Sequence, residues 1–327
     1  MIMNVANVNN VFAYSCNGSN DDTNLSTFIA NLRTKGYSNF TVQIEGNFVK
    51  SGTAPITVDN SNYSPITLDF SRCNRITSRG AFLDVTNVRV VGCTVYHQVN
   101  SNDVDISTFT GTKSTFEKCD VTGGYSSGTC RAFNLTSSRI TDCSCDVYNT
   151  DGLIYGINGS DNLVSNCEIK VKSNNASAYG VDVTKTFVTN SKFTGETAST
   201  LTTTSGNGGI GGGYYSNCLF VGIGALKGQG FFIRGGTWLT MNNCIARGYT
   251  KDAVNGWGVG VGGQSNEATT FSLLGMNCNQ ITMSGFSQTK SFEVLGGYGV
   301  YSGTFFTAPN VASTITTLGS YNRNRTD

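Results

Sequence analysis

The chain has little charge, little proline and almost no histidine. Asp, Glu, Lys and Arg make up 13% of its 327 residues, and 22 basic against 21 acidic side chains leave a formal charge of +1. No long run of one sign occurs, which excludes bulk electrostatic binding to nucleic-acid phosphates or anionic membranes. The single histidine, His97, leaves no visible partner for a catalytic triad, and a strand-surface position is expected for it. No apolar run approaches the roughly 18 residues that a spanning helix needs. The first residues, Met1 to Ala6, lack the basic and apolar regions of a signal peptide, so a soluble protein made in the cytoplasm is expected.

Forty glycines stand against three prolines, among many Asn, Ser and Thr residues. Chains too polar to fold carry high net charge and few aromatics. This one carries 19 Phe, 14 Tyr and 2 Trp, so it is an ordered protein. Its polar residues form turns or tolerate strands, and segments rich in helix formers are scarce. The composition therefore indicates an all-β fold of many short strands.

One pattern recurs: an apolar strand, a polar residue, Cys, then another apolar position. It occurs around Cys93, Cys119, Cys143, Cys167, Ser191, Cys218 and Cys244, at intervals of 26, 24, 24, 24, 27 and 26 residues. Ten residues before five of these anchors stand Leu83, Phe109, Phe133, Ile157 and Val181. Leucine-rich repeats would show a Leu-x-x-Leu-x-Leu frame, and helical repeats would need longer helix-forming segments. Short strands between Gly, Asn and Ser turns fit a right-handed parallel β-helix, one strand coiled upon itself. About nine coils at an inter-strand spacing near 4.8 Å would stand about 40 Å tall.

In that geometry the cysteines form an inward ladder of small, polarisable side chains, with Ser191 in the same slot. Eleven is an odd number, and a cytoplasmic origin favours free thiols. A linear file does not converge ligands on one point, so no metal or other cofactor is expected. Asn166, Asn190, Asn217 and Asn243, each preceding an anchor, should stack as an amide ladder.

Residues 1–50 form the N-terminal segment, 51–285 the β-helix, and 286–327 a C-terminal segment outside the regular coils. In the first, Asp21, Asp22 or Thr23 can cap a helix whose apolar face is Leu25, Phe28, Ile29 and Leu32. Placed over the end of the rod, this helix would cover an open strand edge, with Thr41 to Gly46 as the first strand. The Asn20-Asp21-Asp22-Thr23 opening, the strand ending in Gly46 and the coils that follow resemble the pectate-lyase-like β-helix superfamily. The tailspike and appendage proteins of tailed bacteriophages are nearest in style. In place of that group's usual Gly-Asp-Gly stands Cys16-Asn-Gly18-Ser-Asn20, and Gln43-Ile-Glu-Gly46 replaces an aromatic-Pro-Gly element. The resemblance implies a homotrimer, with 286–327 capping or oligomerising the rod, in contact with other virion proteins.

Exposed aromatic rings stack on sugar faces, which makes Tyr214, Tyr215, Trp238 and Trp257 the carbohydrate-binding candidates. Glycan-cleaving β-helices use carboxylate pairs. Asp84 and Asp182 share one column but stand four coils apart, about 19 Å, too far to cooperate. Asp120 and Asp142 flank neighbouring anchors, with Asp146, Asp151 and Glu168 close by; any of them could serve a carboxylate pair, solvated turn positions being the commoner role, and no catalytic residue can be named. Two Gly-x-Gly-x-x-Gly matches, at 206–211 and 258–263, lack the following helix of a nucleotide site and are expected as glycine-rich turns. The function expected is that of a structural, receptor-binding part of a phage virion, without membrane insertion, that recognises host surface polysaccharide. The alternative is a polysaccharide hydrolase on the same scaffold, and a third is a secreted adhesin or polysaccharide lyase.

Overall fold

Left-handed residues break this chain into short strands at regular intervals. In the computed structural model, residues 10–50, 52–99, 105–234 and 238–252 are described, together with the strands Trp257–Gln264, Thr269–Cys278, Ile281–Ser284, Thr289–Tyr298 and Ile315–Leu318. Each strand pairs in parallel with its counterpart one coil earlier and one coil later, and the regular solenoid makes about eight turns. The chain is thus an all-β parallel β-solenoid, with one helix among the described residues, near its start. Leu83, Phe109, Phe133, Ile157 and Val181 are in register, each wholly buried.

Two corners per coil carry the geometry. The first is the expected Asn position: Asn166, Asn190, Asn217 and Asn243 have φ of 54, 49, 53 and 49°. Asn tolerates this conformation because its amide finds local partners. The Nδ2 of Asn217 donates to Asn190 Oδ1 at 3.2 Å, and that of Asn243 to Asn217 Oδ1 at 2.8 Å. The other corner holds Asn87, Lys113, Ser137, Asp161 and Lys185, again with φ between 50 and 57°. These share no side-chain type, so composition does not mark them.

At both corners the next residue turns inward and, Val88 excepted, carries a heteroatom at the γ or δ position. Cys143 Sγ accepts the Cys119 N–H at 3.2 Å and lies 3.2 Å from the Thr141 carbonyl oxygen. Ser191 Oγ accepts the Cys167 N–H at 3.0 Å, and Ser138 Oγ accepts the Ser114 N–H at 3.1 Å. Asn162 Oδ1 in turn accepts the Ser138 N–H at 2.9 Å. The cysteine file is therefore a hydrogen-bonding ladder as well as packing, which explains how serine enters it. The cysteines of the file are free thiols. Burial raises the thiol pKa of Cys93 and Cys143, and that of Cys167 to about 12.

At the N-terminus, strand β1 (Asn10–Ser15) precedes helix α1 (Asp21–Thr34) and pairs with strand β2 (Phe40–Gly46). The expected first strand is therefore the second. Leu25, Ile29 and Leu32 are buried as the helical spacing requires, with Phe28 packed beside them. Asn20 is the N-cap residue, in the left-handed region, and makes no side-chain cap. Asp21 and Asp22 lie inside the first turn and bind elsewhere. Asp21 accepts the Asn17 and Val49 N–H groups at 3.0 and 2.9 Å, and Asp22 accepts that of Gly52 at 3.1 Å. The acidic pair thus fastens the helix to loops on either side of it.

Both glycine-rich matches lie in strands, Gly206–Ser216 and Trp257–Gln264, where turns were expected. A Cβ on Gly206 would fall 1.9 Å from the Ile223 oxygen, and one on Gly222 1.8 Å from that of Gln229. Here two walls of the rod meet backbone to backbone, a contact that only glycine admits. Parallel pairing also continues beyond residue 285: Thr289–Tyr298 pairs with Thr269–Cys278, and Ile315–Leu318 with 292–295. Among the described residues no helix is long and apolar enough to cross a membrane.

Candidate carbohydrate-binding face

The wall between the two corners is only a few residues wide, so its outward side chains come in two files. One is Arg139, Leu163, Phe187, Tyr214 and Thr240; the other is Thr141, Ser165, Thr189, Ser216 and Asn242. The first is apolar in its middle, and the second bears hydroxyls from Thr141 to Ser216 and an amide at Asn242. Leu163 is 45% exposed, Phe187 50% and Trp238 41%, large values for apolar side chains on a regular sheet. The Phe187 ring centre lies 5.9 Å from that of Tyr214 and 6.2 Å from that of Trp238, so two exposed rings and the half-buried Tyr214 form one cluster. Beside it the Ser165 hydroxyl donates to Thr141 Oγ1 at 3.0 Å. A hollow of about 320 Å³ lies over Arg139, Leu163, Ser165, Phe187 and Thr189. Across the asparagine corner, a more open groove of about 680 Å³ runs past Asn190, Asn217, Glu168 and Lys192.

Aromatic faces next to a row of hydroxyls and amides match the two sides of a sugar ring, its apolar C–H face and its polar rim. Of the four candidates, Tyr214 and Trp238 are on this face. Tyr215 is not: it points inward, with no exposed surface, edge-on to Phe220 and Phe231 at 5.4 and 5.1 Å. Strand alternation sends neighbours to opposite sides, so the pair Tyr214-Tyr215 has only one member outside. Burial raises the Tyr215 phenol pKa well above its ordinary value. The side chain of Trp257 lies outside the described residues. Phe187 and Leu163 were missed, although a signal existed. Each stands four residues before an anchor, as does Tyr214, so the repeat itself assigns all three to one file.

Five of the acidic residues bind along the rod. Asp142 accepts from Asn166 at 3.1 Å, and Asp151 from Asn175 at 2.6 Å. Asp120 accepts from the Ser144 hydroxyl. Asp146 pairs with Lys170 at 3.4 Å and Glu168 with Lys192 at 2.8 Å. Each partner lies one coil on, the arrangement of a stacking ladder. Asp84 and Asp182 do share one file, through Thr110, Asn134 and Asn158. His97 is buried, not on the strand surface, because alternation in Thr94–His97 places it beside Val95 in the core, against the Tyr125 ring at 4.2 Å. Among the described residues no group of three His, Cys, Asp or Glu side chains is placed to hold a metal ion.

No protein-family model matches the chain, and no curated protein sequence matches it. Among solved structures it is similar to the catalytic domain of a GH87 alpha-1,3-glucanase in complex with nigerose. The match has 12% sequence identity and a TM-score of 0.37, over 96% of this chain and 69% of that one. A likeness of that degree carries no argument about activity.

Proposed function

We propose that this protein is a carbohydrate-binding rod, a structural and receptor-binding component of a bacteriophage virion that recognises host surface polysaccharide. The observation that supports it is the cluster of Phe187, Tyr214 and Trp238 beside a hydroxyl file, on a scaffold held rigid by ladders at every corner. Isolated exposed rings need no explanation, but three in contact on a regular sheet mark a binding surface. The virion role and the homotrimer rest on the family resemblance. The proposal places the protein in the virion, in contact with other virion proteins through a segment such as 286–327.

The test is affinity electrophoresis in gels containing host capsule or envelope polysaccharide. The wild-type chain is retarded, and Trp238→Ala and Phe187→Ala each weaken retardation about tenfold, which is about 1.4 kcal/mol. Unchanged mobility of both variants would overturn the reading. The alternative, a polysaccharide hydrolase, requires release of reducing ends from the same polysaccharide.

A further inference from the structure

A second set of outward residues lies on the wall before the corner of Ser137, Asp161 and Lys185. One file there is Arg131, Tyr155 and Tyr179; a second is Asn134, Asn158 and Asp182. Between them the ladder is interrupted: pairing passes from Arg131 and Tyr155 directly to Phe133 and Ile157, over Ala132 and Gly156. Ala132 and Phe133 both point inward and are wholly buried. Two successive inward positions bend a strand so that its outer surface becomes re-entrant, and the flanking outward files lean together. The side chains confirm the approach, since Arg131 Nε donates to Asn158 Oδ1, in the opposite file one coil on, at 3.2 Å. The two files thus face each other across a furrow parallel to the rod, in which Arg131, Asn134, Tyr155, Asn158 and Tyr179 are half-buried.

Arg131 is held in place from two sides. Its Nε is taken by Asn158, which in turn donates through Nδ2 to the Asp182 carbonyl at 3.2 Å. Its guanidinium lies over the Tyr155 ring at 5.6 Å, and the Tyr155 and Tyr179 rings stack 5.0 Å apart and 15° from parallel. The two terminal nitrogens have no acceptor among the described residues. By contrast Lys170, Lys192, Arg72 and Arg89 each make an ion pair. A guanidinium fixed at Nε and open at both terminal nitrogens presents the fork that binds a carboxylate through two parallel hydrogen bonds. The stacked tyrosines continue from it for two coils, about 10 Å along the rod. That is the length of a disaccharide, with the Asn134 amide opposite.

We infer that this furrow is a second saccharide site, on a different wall from the aromatic cluster, and that it takes an acidic sugar whose carboxylate seats on Arg131. The inference rests on the carbohydrate-binding reading and adds a ligand class and a residue to it. Arg131 touches the ligand, and Asn158 acts as a positioning residue through it.

The experiment is isothermal titration of the full chain with the tetramer of a hexuronic acid and with the tetramer of the matching neutral hexose. The acidic tetramer is expected to bind at least tenfold more tightly, with an advantage that shrinks as salt rises. Arg131→Gln removes that advantage. Arg131→Lys keeps part of it, since the charge remains and the fork is lost. Asn158→Ala reduces it in proportion to the loosened guanidinium. Unchanged melting temperature and circular dichroism show that each variant folds. Equal affinity for the two tetramers, no binding of either, or an Arg131→Gln variant that binds like the wild type would overturn the inference. The broader reading fails separately, if Trp238→Ala and Phe187→Ala leave polysaccharide retardation intact.

Discussion

Replacing Cys143 separates two explanations of the cysteine file. If the file only fills space, alanine and serine should be comparable substitutes, both smaller than cysteine. If it is a hydrogen-bonding ladder, they differ. In Cys143→Ala the buried Cys119 N–H loses its acceptor at 3.2 Å, and the Thr141 carbonyl loses a donor. An unsatisfied buried N–H costs about 1–3 kcal/mol. The lost sulfur adds roughly one methylene's worth of burial, about 0.8 kcal/mol. The alanine variant should therefore be about 2–4 kcal/mol less stable. Cys143→Ser keeps both partners, as Ser191 does in the next coil but one, and should stay within about 1 kcal/mol of wild type. Cys145, equally buried but with only a 3.9 Å contact to the Lys170 carbonyl, is the control. Its alanine variant should lose only the burial part, about 1 kcal/mol. Urea midpoints with matched slopes measure these differences, and unfolding half-lives replace them if unfolding proves irreversible. Alanine and serine variants of equal stability would refute the ladder.

Three further outcomes follow from the same structure. Burial, the largest cause in each case, raises Cys16 to about 11, and Cys73, Cys167 and Tyr14 to about 12. Their neutral forms are favoured in the fold, so this stability is present below pH 9 and is lost as pH rises toward 11–12; a melting temperature that stays flat from pH 8 to 11.5 would contradict it. Gly222→Ala sets a Cβ 1.8 Å from the Gln229 oxygen and should cost more than 3 kcal/mol or abolish folding, whereas Gly52→Ala, with 3.4 Å to Asp22 Oδ2, should be mild in thermal melts. Asp21→Ala leaves the N–H groups of Asn17 and Val49 without their carboxylate; about 2–4 kcal/mol of lost stability, with early proteolysis near residues 17–50, is the expected result.

The rod itself was legible because a solenoid writes its geometry into spacing. Equivalent positions must lie over one another, so a period of about two dozen residues, an inward cysteine and a preceding asparagine suffice to place residues 83–244 in register. The same arithmetic locates Phe187 beside Tyr214. What spacing does not carry is any contact between walls. Strand alternation, by contrast, is local, and it turns Tyr215, a candidate by type, inward with Ile140, Val164 and Val188. His97 lies in the core for the same reason. The glycine runs are strands against which the backbone of another wall presses, as Gln229 does on Gly222 and Ile223 on Gly206. The second corner has no shared residue type, since only its backbone torsion matters there. The furrow at Arg131 exists because a break in one ladder leans two files together. Period and polarity, being local properties, were settled by the amino-acid order alone. Which side chains meet across the rod was decided only when the coils closed, because those meetings depend on the distance between walls.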